Sequence, residues 1–305
     1  MRVAVTGAGG RLGRALIAAL EEAPFTGPFG PIAWGRAEFD LDAPEGIDGL
    51  IERHRPEAVI HAAAWTDVDG CARDPELALA RNGIATGRLA AACAAHGVDL
   101  IVVSTNEVFD GRRSDGRGYG PHDATAPLNP YGASKLVGER AAADAFERAG
   151  SSAALGMVRT AWLFGPPGND FPAKILVAAE RSRDGGEPLR VVADEMGSPT
   201  YTRDLAEGIV ELIGGAAIAG THHIVNEGIA SRAAWARELL RQARVDVPIV
   251  DVPASTWERA STPPAWGVLE PTPLPGGEPL RPWAAALADY LPTLLRQRAA
   301  SEARR

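Results

Sequence analysis

The chain has 305 residues, 46% hydrophobic and 23% charged, with 39 acidic against 31 basic side chains and a net charge of −8. This composition supports a sizeable core and excludes wholesale disorder, and its acidic balance excludes a general nucleic-acid binder, which needs surplus Lys and Arg to neutralise phosphates. Cys71 and Cys93 lack the spacing of a zinc or disulfide framework and read as small core residues, and no apolar run reaches the roughly 18 residues of a membrane span.

The chain enters a strand at once at Val3 to Val5, without a leader-like segment, so the cytoplasm is the expected compartment. Ile32 to Trp34, Ala58 to Ile60 and Leu100 to Ser104 are further short, continuous apolar runs that read as buried strands. Between them, Leu12 to Glu22, Gly46 to His54 and Pro75 to Ala95 have helical spacing. This alternation predicts right-handed crossovers and a Rossmann-type, doubly wound parallel α/β sheet, with ligands at the carboxyl ends of the strands. A helix from Tyr131 to Ala149 and a strand from Met157 to Trp162 complete a first unit, residues 1–162. The remainder, 163–305, reads mainly as a smaller α/β substrate lobe. It holds a helix near Ala173 to Arg183, a strand at Leu189 to Val192 and a helix from Arg203, with a strand near 221–226 returning to the first sheet. Pro253 to Pro282 is proline-crowded and reads as an extended wrapping segment, and the polar tail Arg296 to Arg305 as a frayed helix end.

The first strand runs into Gly7, Gly10 and Gly13 with G-x-x-G-x-x-G spacing. Glycine is needed where backbone N–H groups approach a pyrophosphate and where the following helix packs closely on the sheet. This strand, glycine turn and helix start predict a dinucleotide site that includes Arg11 and Leu12. The second strand ends in Gly35-Arg36 without a carboxylate, and a guanidinium there suits the 2′-phosphate of NADPH, with NADH the alternative.

Tyr131 and Lys135 stand four residues apart on the long helix and share a face. A phenol with an ordinary pKa near ~10 works as an acid or base near neutrality when a cation favours its phenolate, and Lys135 supplies that charge. Thr105 closes the strand from Leu100, at the sheet end where the glycine loop opens. Its hydroxyl is positioned to hydrogen-bond the same substrate oxygen.

These residues resemble the extended short-chain dehydrogenase/reductase superfamily and, within it, the dTDP-4-dehydrorhamnose reductase family. The matching stretches are Val3 to Gly13, His61-Ala-Ala-Ala-Trp-Thr66, Ser104-Thr-Asn-Glu-Val-Phe-Asp-Gly111, Ala126 through Glu139, Arg159-Thr-Ala-Trp-Leu-Phe-Gly165, and Asp194-Glu-Met-Gly-Ser-Pro-Thr200. The resemblance covers about residues 1 to 230 and is weak after Pro253. It implies an NAD(P)H-dependent reductase that converts a nucleotide-linked, dTDP-type 4-keto-6-deoxy sugar to its 4-hydroxy form in deoxysugar (rhamnose) biosynthesis, acting as a monomer or homodimer. It assigns Tyr131 as proton donor, Lys135 as its electrostatic partner and ribose ligand, and Thr105 as the second hydroxyl on the ketone. It places Asp40 and Leu41 near the adenine and Ala62, Ala63 and Ala64 along the cofactor. Val68, Asn106, Trp162, Asn169 and Lys174 are assigned to the sugar nucleotide, and Asn82 to an active-site water. No metal ligand is assigned in this chain, and whether a metal sits at a dimer interface stays open.

The chain departs from the family where Asn106-Glu107 replaces the usual Asp-Tyr, which bears on the identity of the sugar more than on the chemistry. His61 stands where asparagine is usual and reads as a hydrogen-bonding residue at a strand end. Two other readings stay open. One is an epimerase or dehydratase that retains NAD, and the other is a non-catalytic NADP-binding regulatory subunit.

Overall fold

The computed structural model describes residues 1–302, so the last three residues of the expected frayed tail, 303–305, lie outside the described residues. Strand β1 (Val3–Thr6) is buried along its whole length and feeds the glycine turn that opens helix α1 (Arg11–Glu22). Strand β2 (Ile32–Trp34), helix α2 (Ile47–His54) and strand β3 (Ala58–His61) follow. The helix expected over Pro75 to Ala95 is in fact interrupted. After α3 (Val68–Arg73), capped by Asp67, come α4 (Pro75–Ala78), capped by Asp74, a π-turn at Leu79–Ile84, and α5 (Ala85–His96). The widened turn contains Asn82, whose side chain is drawn to the backbone of Trp65, and such bulges recur at functional sites. Strand β4 (Asp99–Thr105), helix α6 (Pro130–Ala149) and strand β5 (Leu155–Thr160) complete this part. Strand β5 stops short of Trp162, which takes a left-handed φ of 45° that no strand residue adopts.

The second part is built from β6 (Leu163–Phe164), α7 (Phe171–Gly185), β7 (Leu189–Val192), β8 (Met196–Gly197), β9 (Thr200–Tyr201) and α8 (Thr202–Gly214). It continues through β10 (Gly220–His223), β11 (Ala230–Ser231), α9 (Arg232–Ala243), β12 (Ile249–Val252), β13 (Trp266–Gly267) and α10 (Trp283–Glu302). The main sheet has the order β10-β5-β4-β3-β1-β2, with every pairing parallel. The strand order reverses between β1 and β3, and the crevice above that point is where a doubly wound sheet binds ligands.

Strand β10 pairs with β5, and α8 packs Leu205, Ile209 and Leu212 against Leu12, Leu16 and Leu20 of α1, so both return to the first unit. A separate aromatic core of Phe164, Trp235 and Tyr290 with Leu176, Leu239 and Leu294 holds the remaining helices together. Between Pro253 and Pro282 the chain is largely extended and crosses back over the first unit. Tyr119 N–H donates to Val268 O in this segment and Tyr119 O accepts from Glu270 N–H, while Trp266 N–H donates to Gly111 O. Cys71 and Cys93 are buried free thiols, and among the described residues no helix is long and apolar enough to cross a membrane.

Candidate active site

Two adjoining cavities, of about 370 and 460 Å³, open above the switch point and share Gly7, Gly10, Ala62 and Ala64 in their walls. The glycine turn fits a dinucleotide for reasons visible in its backbone. Gly7 has φ +65°, and a Cβ there would lie 2.9 Å from the backbone of Ala63; a Cβ on Gly13 would lie 2.1 Å from the Gly7 carbonyl oxygen. Helix α1 begins at Gly10 without a side-chain cap and without an acidic residue in its first turn. Its leading N–H groups are thus free to meet an anion, with the helix dipole in support.

The smaller cavity is lined by Arg36, Asp40, Leu41 and Ala63 together with Phe39, Asp42, Trp65 and Arg81. Arg36 is 77% exposed and lies 3.6 Å from Asp40 and 3.2 Å from Asp42. Arg81 binds both oxygens of Asp42, at 2.6 and 2.7 Å, and lies over the Trp65 ring. These arginines hold Asp42 below the usual carboxylate range.

The larger cavity gathers Arg11, Leu12, Gly13, Val68, Thr105, Asn106, Tyr131, Lys135 and Trp162, joined by Glu107 and Arg232. Tyr131 and Lys135 face it because α6 is started sharply by Asn129, whose side chain accepts the Gly132 N–H at 2.9 Å, with Pro130 in the first helical position. Burial and the neighbouring Glu107 carboxylate push the Tyr131 phenol above its ordinary range, against a hydrogen bond with Thr105 that lowers it. Lys135 is 3% exposed, and burial lowers it to about 8 although Glu139 favours its charge. Glu139 is itself held in a buried pair with Arg159, at 2.7 and 3.0 Å. Burial therefore holds Tyr131 as the neutral phenol.

Thr105 accepts the Glu107 N–H at 3.2 Å and donates to Asn106 Oδ1 at 3.3 Å. Asn106 donates to the Gly267 carbonyl at 3.0 Å, so the wrapping segment braces the reaction end of the site. His61 is fully buried between Thr6 (2.8 Å) and Thr86 (3.0 Å), and burial lowers its pKa to about 3, which keeps it neutral. Asn82 accepts from Trp65 N–H at 2.8 Å and donates to Trp65 O at 3.0 Å and Ser134 Oγ at 3.1 Å. Both its N–H groups are spent on protein partners, where the resemblance implied a water.

Two expected substrate residues are not brought to either cavity. Asn169 is exposed and accepts a hydrogen bond from Arg11, which also binds Gly165 O and the buried Asp170. Lys174 is exposed on α7. The Arg11–Asp170 pair ties this turn to the start of α1 and engages the Asn169 carbonyl. Conversely, Arg232 gave no local signal. It is the first residue of α9 after the Ser231 cap, and only the packing of that helix lays its guanidinium 3.6 Å from the centre of the Trp162 ring. Glu107 was visible in the sequence only as a departure from a pattern. Among the described residues no cluster of His, Cys, Asp and Glu is arranged to hold a metal ion.

Comparison with known proteins agrees with this geometry along the whole chain. The family model described as RmlD substrate binding domain matches residues 1–296. The chain is 37% identical over 300 residues to a dTDP-4-dehydrorhamnose reductase of Streptomyces griseus, covering 95% of this chain and 93% of that protein. It is likewise 37% identical over 296 residues to the Mycobacterium tuberculosis reductase of the same name, covering 95% and 92%. A dTDP-4-dehydrorhamnose reductase structure from Bacillus anthracis, in complex with NADP, superposes with a TM-score of 0.85 at 30% identity, covering 96% of this chain and 99% of that one. A UDP-glucose 4-epimerase from Thermus thermophilus, 20% identical with a TM-score of 0.75, shares the fold. With the glycine cradle and the Thr105–Tyr131–Lys135 face already in place, the chain belongs to the dTDP-4-dehydrorhamnose reductase family of extended short-chain dehydrogenases/reductases.

Proposed function

We propose that the protein reduces the C4 ketone of a dTDP-linked 4-keto-6-deoxyhexose to the alcohol with NADPH, working in the cytoplasm as a monomer or homodimer. The observation that carries this reading is the placement of Thr105, Tyr131 and Lys135 in one cavity that continues into the uncapped start of α1. The names of the relatives and the NADP in the Bacillus anthracis structure support the choice of substrate and cofactor.

Gly7, Gly10, Gly13, Arg11 and Leu12 would hold the diphosphate of the dinucleotide, Ala62 to Ala64 its nicotinamide half, and Asp40 and Leu41 the adenine, with Arg36 at the 2′-phosphate. When bound, the cofactor supplies the hydride. The chain supplies the proton and the positioning. Tyr131, held as a neutral phenol, passes its proton to the ketone oxygen as charge develops there. Thr105 already accepts a backbone N–H, so its own hydrogen is free to turn from Asn106 to the same oxygen. Lys135, buried beside them, offsets the phenolate that remains and also meets the nicotinamide ribose. Hydride and proton together convert the ketone to the alcohol, and solvent then returns a proton to Tyr131. Val68 and Trp162 line the space left for the sugar nucleotide.

Following NADPH absorbance with dTDP-4-keto-6-deoxy sugars tests the reading. Consumption that vanishes in Tyr131→Phe supports it, and no consumption across a panel of 4-keto sugar nucleotides overturns it.

A further inference from the structure

We propose that Glu107 and Arg232 are the side chains that read the hexose ring, one accepting and the other donating hydrogen bonds to sugar hydroxyls beyond the reach of Thr105 and Tyr131. This deepens the nucleotide-sugar reading given above and rests on it. The two residues come from different units, the turn after β4 and the start of α9, and meet in the wall of the larger cavity.

Of the other polar groups in that wall, the Ser104 and Thr160 hydroxyls are buried without a hydrogen-bond partner, and the larger groups are committed to the protein. The Asn106 amide is divided between Gly267 O and Thr105 Oγ1. Arg11 is held by Gly165 O, Asp170 and Asn169. Thr105 is bonded to the Glu107 N–H and to Asn106 Oδ1, and with Tyr131 it is assigned to the ketone. Glu107 differs, because Asn129 Nδ2 donates to its Oε2 at 2.6 Å and, among the described residues, no hydrogen bond reaches its Oε1. Arg232 differs too. Its guanidinium carries five N–H donors, lies over the Trp162 ring, and has Glu195 at 3.6 Å as its ion-pair partner. Glu195 is shared with Arg259 at 4.0 Å.

A half-buried arginine and a carboxylate whose bonding is incomplete are costly arrangements, and they are retained where a ligand completes them. The sign of the charges indicates which part of the substrate does so. A diphosphate would be drawn to Arg232 but repelled by Glu107, whereas a neutral ring bearing hydroxyls offers a donor to one and an acceptor to the other. Burial lowers Arg232 to about 10, so it stays a cation near neutrality.

Calorimetric titration of the protein saturated with NADP⁺, using dTDP and dTDP-glucose as probes, separates the sugar from the nucleotide without turnover. The wild type should bind dTDP-glucose more tightly than dTDP. Glu107→Ala and Arg232→Met should each weaken dTDP-glucose on the order of 10-fold while leaving dTDP within about 2-fold. Glu107→Gln, which keeps an acceptor oxygen, should recover part of the loss, and thermal midpoints identify any variant that fails to fold. An equal loss of dTDP affinity in Arg232→Met would assign that residue to the diphosphate and overturn the proposal. So would a wild type with no preference for the sugar-bearing probe, or a preference unchanged in both variants. A protein that binds dTDP-glucose in this way yet reduces no 4-keto sugar would sink the reductase reading and leave this inference standing.

Discussion

The two ends of the ligand cleft hold their titratable residues under opposite conditions. At the end proposed for the adenosine, Arg36, Arg81, Asp40 and Asp42 form a loose network close to solvent, with Arg36 77% exposed. At the reaction end Lys135 is 3% exposed, and burial rather than pairing moves Lys135, Tyr131 and Arg232 away from their ordinary pKa values. Water screens the first group, so its ion pairs are weak and can exchange Asp42 for a ligand phosphate at little cost. The second group has no such freedom. Its protonation states are set by the fold itself, which suits the proposed proton donor.

That contrast predicts a graded response to substitution. Tyr131→Phe should have the largest effect, a fall in kcat of roughly 1,000-fold with little change in thermal midpoint, measured by NADPH consumption; a variant within about 10-fold of wild type would place the proton donor elsewhere. Acid stability comes next, through His61. Its folded pKa of about 3 lies below the ordinary 6.5, so between these values the unfolded chain binds more protons and stability falls as the pH drops through that window. From pH 6.5 to about 5 the loss from this group alone should be about 2 kcal/mol, readable by denaturant titration at each pH. His223, lowered by burial to about 4, adds a loss of the same sign. His61→Asn should flatten the curve, and an unchanged slope would mean that His61 is not the group responsible.

At the exposed end the effects should be smaller. Arg36→Ala should cut the ratio of NADPH to NADH efficiency about 10-fold, the worth of one charge-assisted contact; an unchanged ratio would leave Arg36 a solvated loop charge. Asp42→Ala, which removes the acid shared by Arg36 and Arg81, should cost less than ~1 kcal/mol of stability by denaturant unfolding. A larger loss would show that the adenosine end is as rigid as the reaction end, and the contrast between them would fail.

The sequence alone determined what local geometry can encode. The glycine turn is legible because its need for missing Cβ atoms is a property of a few adjacent residues, and Tyr131 and Lys135 because four residues of helix bring them to one face. The parallel sheet followed from alternating apolar runs. Tertiary structure decided the rest. Asn169 and Lys174 match a pattern in the chain, yet the Arg11–Asp170 pair and the course of α7 leave them outside the cavities. Asn82 sits in a π-turn because its amide is claimed by Trp65 and Ser134, which no spacing foretells. Arg232 becomes a neighbour of Trp162 and Glu107 only when the second unit closes over the first. Motifs fix side chains that share one element, whereas a side chain that reaches the site from about 100 residues away along the chain is placed by packing between elements, and that appears only in the folded molecule.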